Sequence, residues 1–128
     1  MEDNRVNISK EELFEILRTV QVDVDDLSER LMGNMNLITK FLRRFPDDKS
    51  YKQLVEAIAN QECETAFRAA HTLKGVVANL SMTNLYSLVG SQVEALRGGD
   101  LNRGTELMSA IEDEYNKMVG VINAIKWE

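Results

Sequence analysis

Apolar residues recur at three- and four-residue intervals along almost the whole chain, and no stretch shows the strict alternation of a half-buried strand. The pattern predicts helices, and the polar residues between the apolar runs mark their ends. Ser9-Lys10-Glu11-Glu12 has the form of a capping box and opens a helix through about residue 20, with Leu13, Ile16 and Leu17 on one face. Asp23 or Asp25 can cap a short second helix over about 26–31, which Gly33 and Asn34 interrupt. Asn34 then opens a third helix with Met35, Ile38, Leu42 and Phe45 inward. Pro46 ends it, because proline supplies no N–H and disfavours helical geometry in the residue before it. Asp47 or Ser50 can start a fourth helix carrying Leu54, Val55 and Ile58 inward.

After Asn60-Gln61 a fifth helix is predicted over about 62–80, and Ser81 is placed to cap a sixth over about 82–97, with Leu85, Leu88, Val89 and Leu96 inward. Gly98-Gly99-Asp100 is a turn. The last helix, about 102–126, has the most regular seam: Leu101, Gly104, Met108, Ile111, Tyr115, Met118, Ile122 and Ile125. Short connections between the later helices favour antiparallel neighbours. The expected architecture is therefore all-α, an antiparallel up-down four-helix bundle with additional short N-terminal helices packed against it. The interval from Arg43 to Ser50 reads as a corner, so residues 1–128 are expected to form one domain.

Composition narrows the functions open to such a bundle. With 44% hydrophobic residues in 128, the chain can bury one core. The formal charge of −6 disfavours nucleic acid as a main partner, because phosphate backbones are bound by clustered Lys and Arg. No apolar run is long enough to span a bilayer, and Met1-Glu2-Asp3-Asn4-Arg5 lacks the basic-then-apolar order of a secretory signal; a cytoplasmic monomer is expected. Cys63 is the single cysteine, so no internal disulfide is possible and no Cys/His set exists for zinc; it is expected as a buried small apolar residue. The acidic runs Asp23-Val24-Asp25-Asp26 and Glu112-Asp113-Glu114 read as capping and solvated charge without calcium-loop spacing. Neither a metal nor a cofactor is expected, and Trp127 reads as a cap over the end of the bundle.

The one histidine, His71, departs from the apolar pattern. At about 100° per residue, Ala66, Ala69, Ala70, Leu73, Val76, Val77 and Leu80 form one stripe, and His71 lies about 160° from its centre. Gly75 sits one turn later on the same outer face. Imidazole changes charge around neutrality, so an exposed one is in good part neutral and nucleophilic. Three roles are open: metal ligand, general base, or nucleophile accepting a group. Nearby ligands are too few for the first, and a convex helix face offers no cleft for the second. The third suits the neighbours. Lys74 and Arg68, three residues on either side, can place positive charge near a phosphoryl group. Glycine inside a helix costs about 1 kcal/mol relative to alanine, so Gly75 needs a reason. Clearance for a protein that approaches His71 is one; close packing of a neighbouring helix is the other.

Ala70-His71-Thr72-Leu73-Lys74-Gly75, followed by a small or apolar stretch and Asn79-Leu80, resembles the signature of histidine-containing phosphotransfer (HPt) domains. The resemblance extends over about residues 22–125, through Leu85, Glu94-Ala95-Leu96 and the glycine turn before the final helix. It implies that His71 accepts a phosphoryl group from the aspartate of a response-regulator receiver domain, in a relay fed by a hybrid histidine kinase, and passes it to another receiver. It further implies that Lys74 stabilises the phosphate, that Gly75 admits the receiver, and that Phe67, Arg68 and Ala78 lie in the docking surface. Members often hold the imidazole with a glutamine on the following helix. Gln92 is the nearest match, although the register can place Val93 there instead. Many also have glycine where this chain has Ser81. No glycine-rich ATP-binding signature is present, so an autonomous kinase is not expected. The competing reading is a helical adaptor, or a degenerate HPt-like protein, that binds signalling partners without phosphoryl transfer.

Overall fold

A computed structural model of the chain describes residues 8–127; the run Met1-Glu2-Asp3-Asn4-Arg5 lies outside the described residues. Among them the chain is all-α, and most of its helices open where a side chain captures a free backbone N–H. Helix α1 (Lys10–Arg18) begins in a complete capping box: Ser9 Oγ accepts from the Glu12 N–H and Glu12 Oε1 accepts from the Ser9 N–H, each at 3.1 Å. Asp23 caps α2 (Val24–Arg30) and Asn34 caps α3 (Met35–Arg44). The cap of α4 (Lys49–Ala59) is Asp48, not Asp47 or Ser50; its carboxylate accepts from the Tyr51 N–H at 3.1 Å and from the Ser50 hydroxyl. Pro46 ends α3 through its missing N–H alone. Phe45 keeps right-handed angles (φ −56°, ψ −42°) as the chain tightens into a 3₁₀ turn, Phe45–Asp47.

Helices α4, α5 (Cys63–Asn79), α6 (Thr83–Arg97) and α7 (Leu101–Ala124) form the four-helix bundle, α5 lying against both α4 and α6 and α7 closing the ring onto α4. Side-chain pairs show the antiparallel order. Phe67 meets Arg97 while Lys74 meets Tyr86, so numbers rise along α5 as they fall along α6. The predicted seam of α7 is inward, with Gly104, Ile111, Tyr115, Met118, Ile122 and Ile125 buried and Leu101 and Met108 half-buried. Tyr115 stacks on Tyr51 of α4 with ring centroids 3.5 Å apart. Its hydroxyl donates to the Pro46 carbonyl at 3.3 Å, and burial, with Asp48 next in effect, pushes that phenol up to about 12. Trp127 is half-buried at the bundle end and its Nε1 donates to the Ile122 carbonyl at 3.1 Å. Val55, Val76 and Leu88, expected inward, are only half-buried, and Cys63 is likewise half-buried with Sγ 3.7 Å from the Leu96 carbonyl. No helix among the described residues is long and apolar enough to cross a membrane.

The N-terminal helices are held by backbone, at the turn between α5 and α6. The Asp23 N–H donates to the Ser81 carbonyl at 2.9 Å, and Val22 pairs with Met82. Ser81 does not cap α6. It has φ +54°, a conformation that favours glycine, and its hydroxyl turns away from α6 to donate to Asp26 Oδ2 at 2.7 Å. Met82 occupies the cap position without a side-chain bond, and the Gln21 carbonyl accepts from both the N–H and the hydroxyl of Thr83, each at 3.0 Å. One segment of the chain thus caps the helix of another.

Asp26 joins Arg30, whose Nε donates to it at 2.7 Å, to Ser81. The Arg30 hydrogen bond first, and the Ser81 hydroxyl second, lower its carboxyl below the ordinary aspartate range. Its stabilising contribution is complete above the unfolded value near about 3.9 and is lost as pH falls through the lowered folded value. Asp26→Asn should therefore melt lower than wild type at neutral pH and converge with it as the solution is acidified below about pH 4. Thermal melts across that range check this, and parallel curves would count against it.

Candidate functional site

Helix α5 divides its residues sharply between core and surface. Ala66, Ala70, Leu73 and Val77 have no exposed surface, and Ala69 and Leu80 retain 5% and 4%. His71 and Gly75 are exposed on the opposite side, where the helical spacing predicts them, and Thr72 is exposed next to them. The small side chains of Ala66, Ala69 and Ala70 let α4 and α6 approach both flanks of α5, leaving a narrow outer strip with the imidazole on it.

On the α6 flank, the Phe67 ring lies one turn before His71, 6.1 Å away between centroids and tilted by 47°. The Arg97 guanidinium lies 5.2 Å from the centre of that same ring and pairs with Glu94 at 3.5 Å. Lys74 leans onto α6: its Cε passes the backbone of Gly90, and its Nζ stands 5.5 Å from the centroid of Tyr86. Lys74 and Tyr86 line one cleft along α6 with Gly90 and Glu94, and Tyr86 also lines a second cleft with Ala78 beside α2. No hydrogen bond joins Lys74 to the imidazole among the described residues; its ammonium faces the Tyr86 ring.

On the other flank Arg68 is engaged as well. Its Nη1 binds Glu64 Oε2 at 3.0 Å, one turn back along α5 and away from His71. Gln92 does not orient the imidazole. It is fully buried between α6 and α7, where Nε2 donates to the Gly104 carbonyl at 2.9 Å and lies 3.6 Å from Met108 Sδ, while its Oε1 has no partner. The sequence pattern did not single out Tyr86 or Arg97. Both sit opposite residues of the α5 motif, and only the antiparallel register of α5 and α6, counted outward from the turn at Ser81, could have found them.

What this strip can do is limited by its shape. The imidazole is open to solvent and Phe67 supports one side of it, but no carboxylate, second nucleophile or oxyanion donor is hydrogen-bonded to it among the described residues. A group that reacts here must arrive on another molecule.

A family model described as the Hpt domain matches residues 36–120, which run from the start of α3 to near the end of α7 and include His71. No curated protein and no solved structure matches the chain.

Two helical glycines can be told apart by their surroundings. A Cβ on Gly75 would meet nothing within 4 Å, whereas one on Gly104 would lie 2.6 Å from Leu96 Cδ2 and 3.0 Å from Cγ, a side chain that is itself buried. Gly75→Ala should raise stability by up to about 1 kcal/mol. Gly104→Ala should lower it by about 1 kcal/mol or more, because the overpacked α6–α7 contact outweighs the gain in helix propensity. Chemical denaturation of the two variants checks the signs; destabilisation by Gly75→Ala would make Gly75 a packing residue.

Proposed function

The chain belongs to the Hpt domain family, phosphotransfer domains of two-component systems that carry phosphoryl groups and are not kinases, and from that premise we propose that His71 is its phosphoacceptor. The observation that supports this most directly is the exposed imidazole beside a glycine whose position no neighbour requires. A receiver domain brings an aspartyl phosphate to the outer face of α5. The lone pair of one imidazole nitrogen attacks phosphorus, the N–P bond forms, and the P–O bond to the aspartyl group breaks with its electron pair returning to the carboxylate. Transfer to a second receiver runs the same steps in reverse. Lys74 serves as the cation that neutralises the phosphoryl oxygens, once it has left Tyr86. Gly75 provides clearance, and Phe67, Arg68 and Ala78 contribute to docking. The remaining catalytic groups are the receiver's. A hybrid histidine kinase is the upstream source of phosphate, and the chain acts as a cytoplasmic monomer without an ATP site of its own.

Incubation with a phosphorylated receiver should place an acid-labile, alkali-stable label on wild type and none on His71→Gln. Gly75→Gln should keep its helicity by circular dichroism yet accept label more slowly, on the order of ten- to a hundredfold, because the donor cannot reach attack distance. Lys74→Ala should be impaired less than His71→Gln, since it assists electrostatically and forms no bond. Receiver binding without any transfer would point instead to the adaptor reading, and labelling by ATP alone would overturn the absence of a kinase site.

A further inference from the structure

We propose that Tyr86 is a positioning residue: a resting seat that holds the Lys74 ammonium away from His71 until a phosphoryl group competes for it. The inference rests on the phosphohistidine reading above and says how its one cation is managed.

Five observations support it. Tyr86 is 45% exposed, one of few large apolar side chains left open, so burial of its ring does not explain it. Its face carries the Lys74 Nζ at 5.5 Å, within the range of an ammonium–ring attraction. In the antiparallel register that sets Phe67 against Arg97 and Lys74 against Gly90, Tyr86 stands level with Ala78, one turn beyond Lys74 from His71. The stem of Lys74 reaches it across Gly90, where a Cβ would stand 3.8 Å from Cε. The carboxylate nearest in sequence on that face of α6, Glu94, is paired with Arg97, and among the described residues the ring, not an ion pair, holds the lysine.

The energetic logic is a competition. Against a neutral imidazole the ammonium has no attraction to His71, and the electron-rich face of Tyr86 is the better partner. A phosphoryl group on His71 carries full negative charge and hydrogen-bond acceptors, and a charge-assisted contact outweighs an exposed ring contact. Lys74 then leaves Tyr86. A seat of this kind slows the forward step slightly, because it stabilises the ground state and not the transition state.

The opposite role, a ring that aims Lys74 at the phosphate, predicts the opposite sign, so one measurement separates them. Phosphoramidate is the probe, a small donor that removes receiver docking from the result. The histidine lone pair forms the N–P bond as the donor's P–N bond breaks, and the leaving nitrogen departs as ammonia with the proton. Tyr86→Leu should label His71 about two- to fivefold faster than wild type, the span that loss of an exposed ammonium–ring contact can produce. Tyr86→Phe, which keeps the ring face, should behave as wild type. In a Lys74→Ala background Tyr86→Leu should add nothing. In wild type the Lys74 Cε protons, shielded by the ring, should shift toward ordinary lysine values on phosphorylation. A slower or unchanged Tyr86→Leu, or an acceleration that survives Lys74→Ala, overturns the proposal. Absence of label on wild-type His71 from a phosphorylated receiver overturns the phosphohistidine reading itself, and the seat with it.

Discussion

Everything at the site depends on the one-sided burial of α5. Its inner stripe is built from Ala66, Ala69, Ala70, Leu73 and Val77, and the three alanines let the flanking helices come close without covering the outer face. The core contacts fix the rotation of the helix about its axis. A slip of one residue would turn it by about 100° and carry His71 off the exposed strip. The orientation of the imidazole is therefore a consequence of packing several ångströms away. Gly75 can remain a glycine inside a helix because the packing of Leu73 and Val77 on either side of it holds that turn.

Much of this was legible in the sequence because it is local. The capping box at Ser9 and the cap residues Asp23 and Asn34 act on backbone N–H groups within three residues, and the three-four spacing reports which face of each helix turns inward. His71 and Gly75 were found by the same spacing. What the pattern misread is long-range. Ser81 has the composition of a cap, but its hydroxyl serves Asp26, 55 residues earlier, and its backbone is committed to a left-handed turn. Gln92 was one of two positions offered for holding the imidazole, and its amide instead donates to the Gly104 carbonyl of α7, a contact that local spacing does not report. Asp48, the actual cap of α4, was passed over for its neighbours Asp47 and Ser50, because residues of all three kinds can cap.

The position of the N-terminal helices has a related origin. They meet the bundle where Gln21 and Ser81 both take positive φ, so that each segment offers the other a carbonyl or N–H that its own helices leave free. The Gln21 carbonyl completes the start of α6, and the Ser81 carbonyl receives the Asp23 N–H at the start of α2. Helix α2 thereby flanks the end of α5, with Asp26 and Arg30 lining the same cleft as Ala78 and Tyr86. The N-terminal extension helps to shape the seat of Lys74 without touching His71.

The charges along α5 differ in how they are held, and this determines which of them is available. Arg68 is paired to Glu64 within its own helix, and Arg97, although it lies on the Phe67 ring, is also paired to Glu94. Lys74 is held by an aromatic face, which attracts a cation through its quadrupole and leaves its net charge intact. Its long stem also carries that charge through an arc of several ångströms at little cost. A convex surface cannot concentrate positive charge as a cleft does, since water screens each group separately. Among the described residues Lys74 is the cation of the α5 motif that lies on a ring and is paired to no carboxylate.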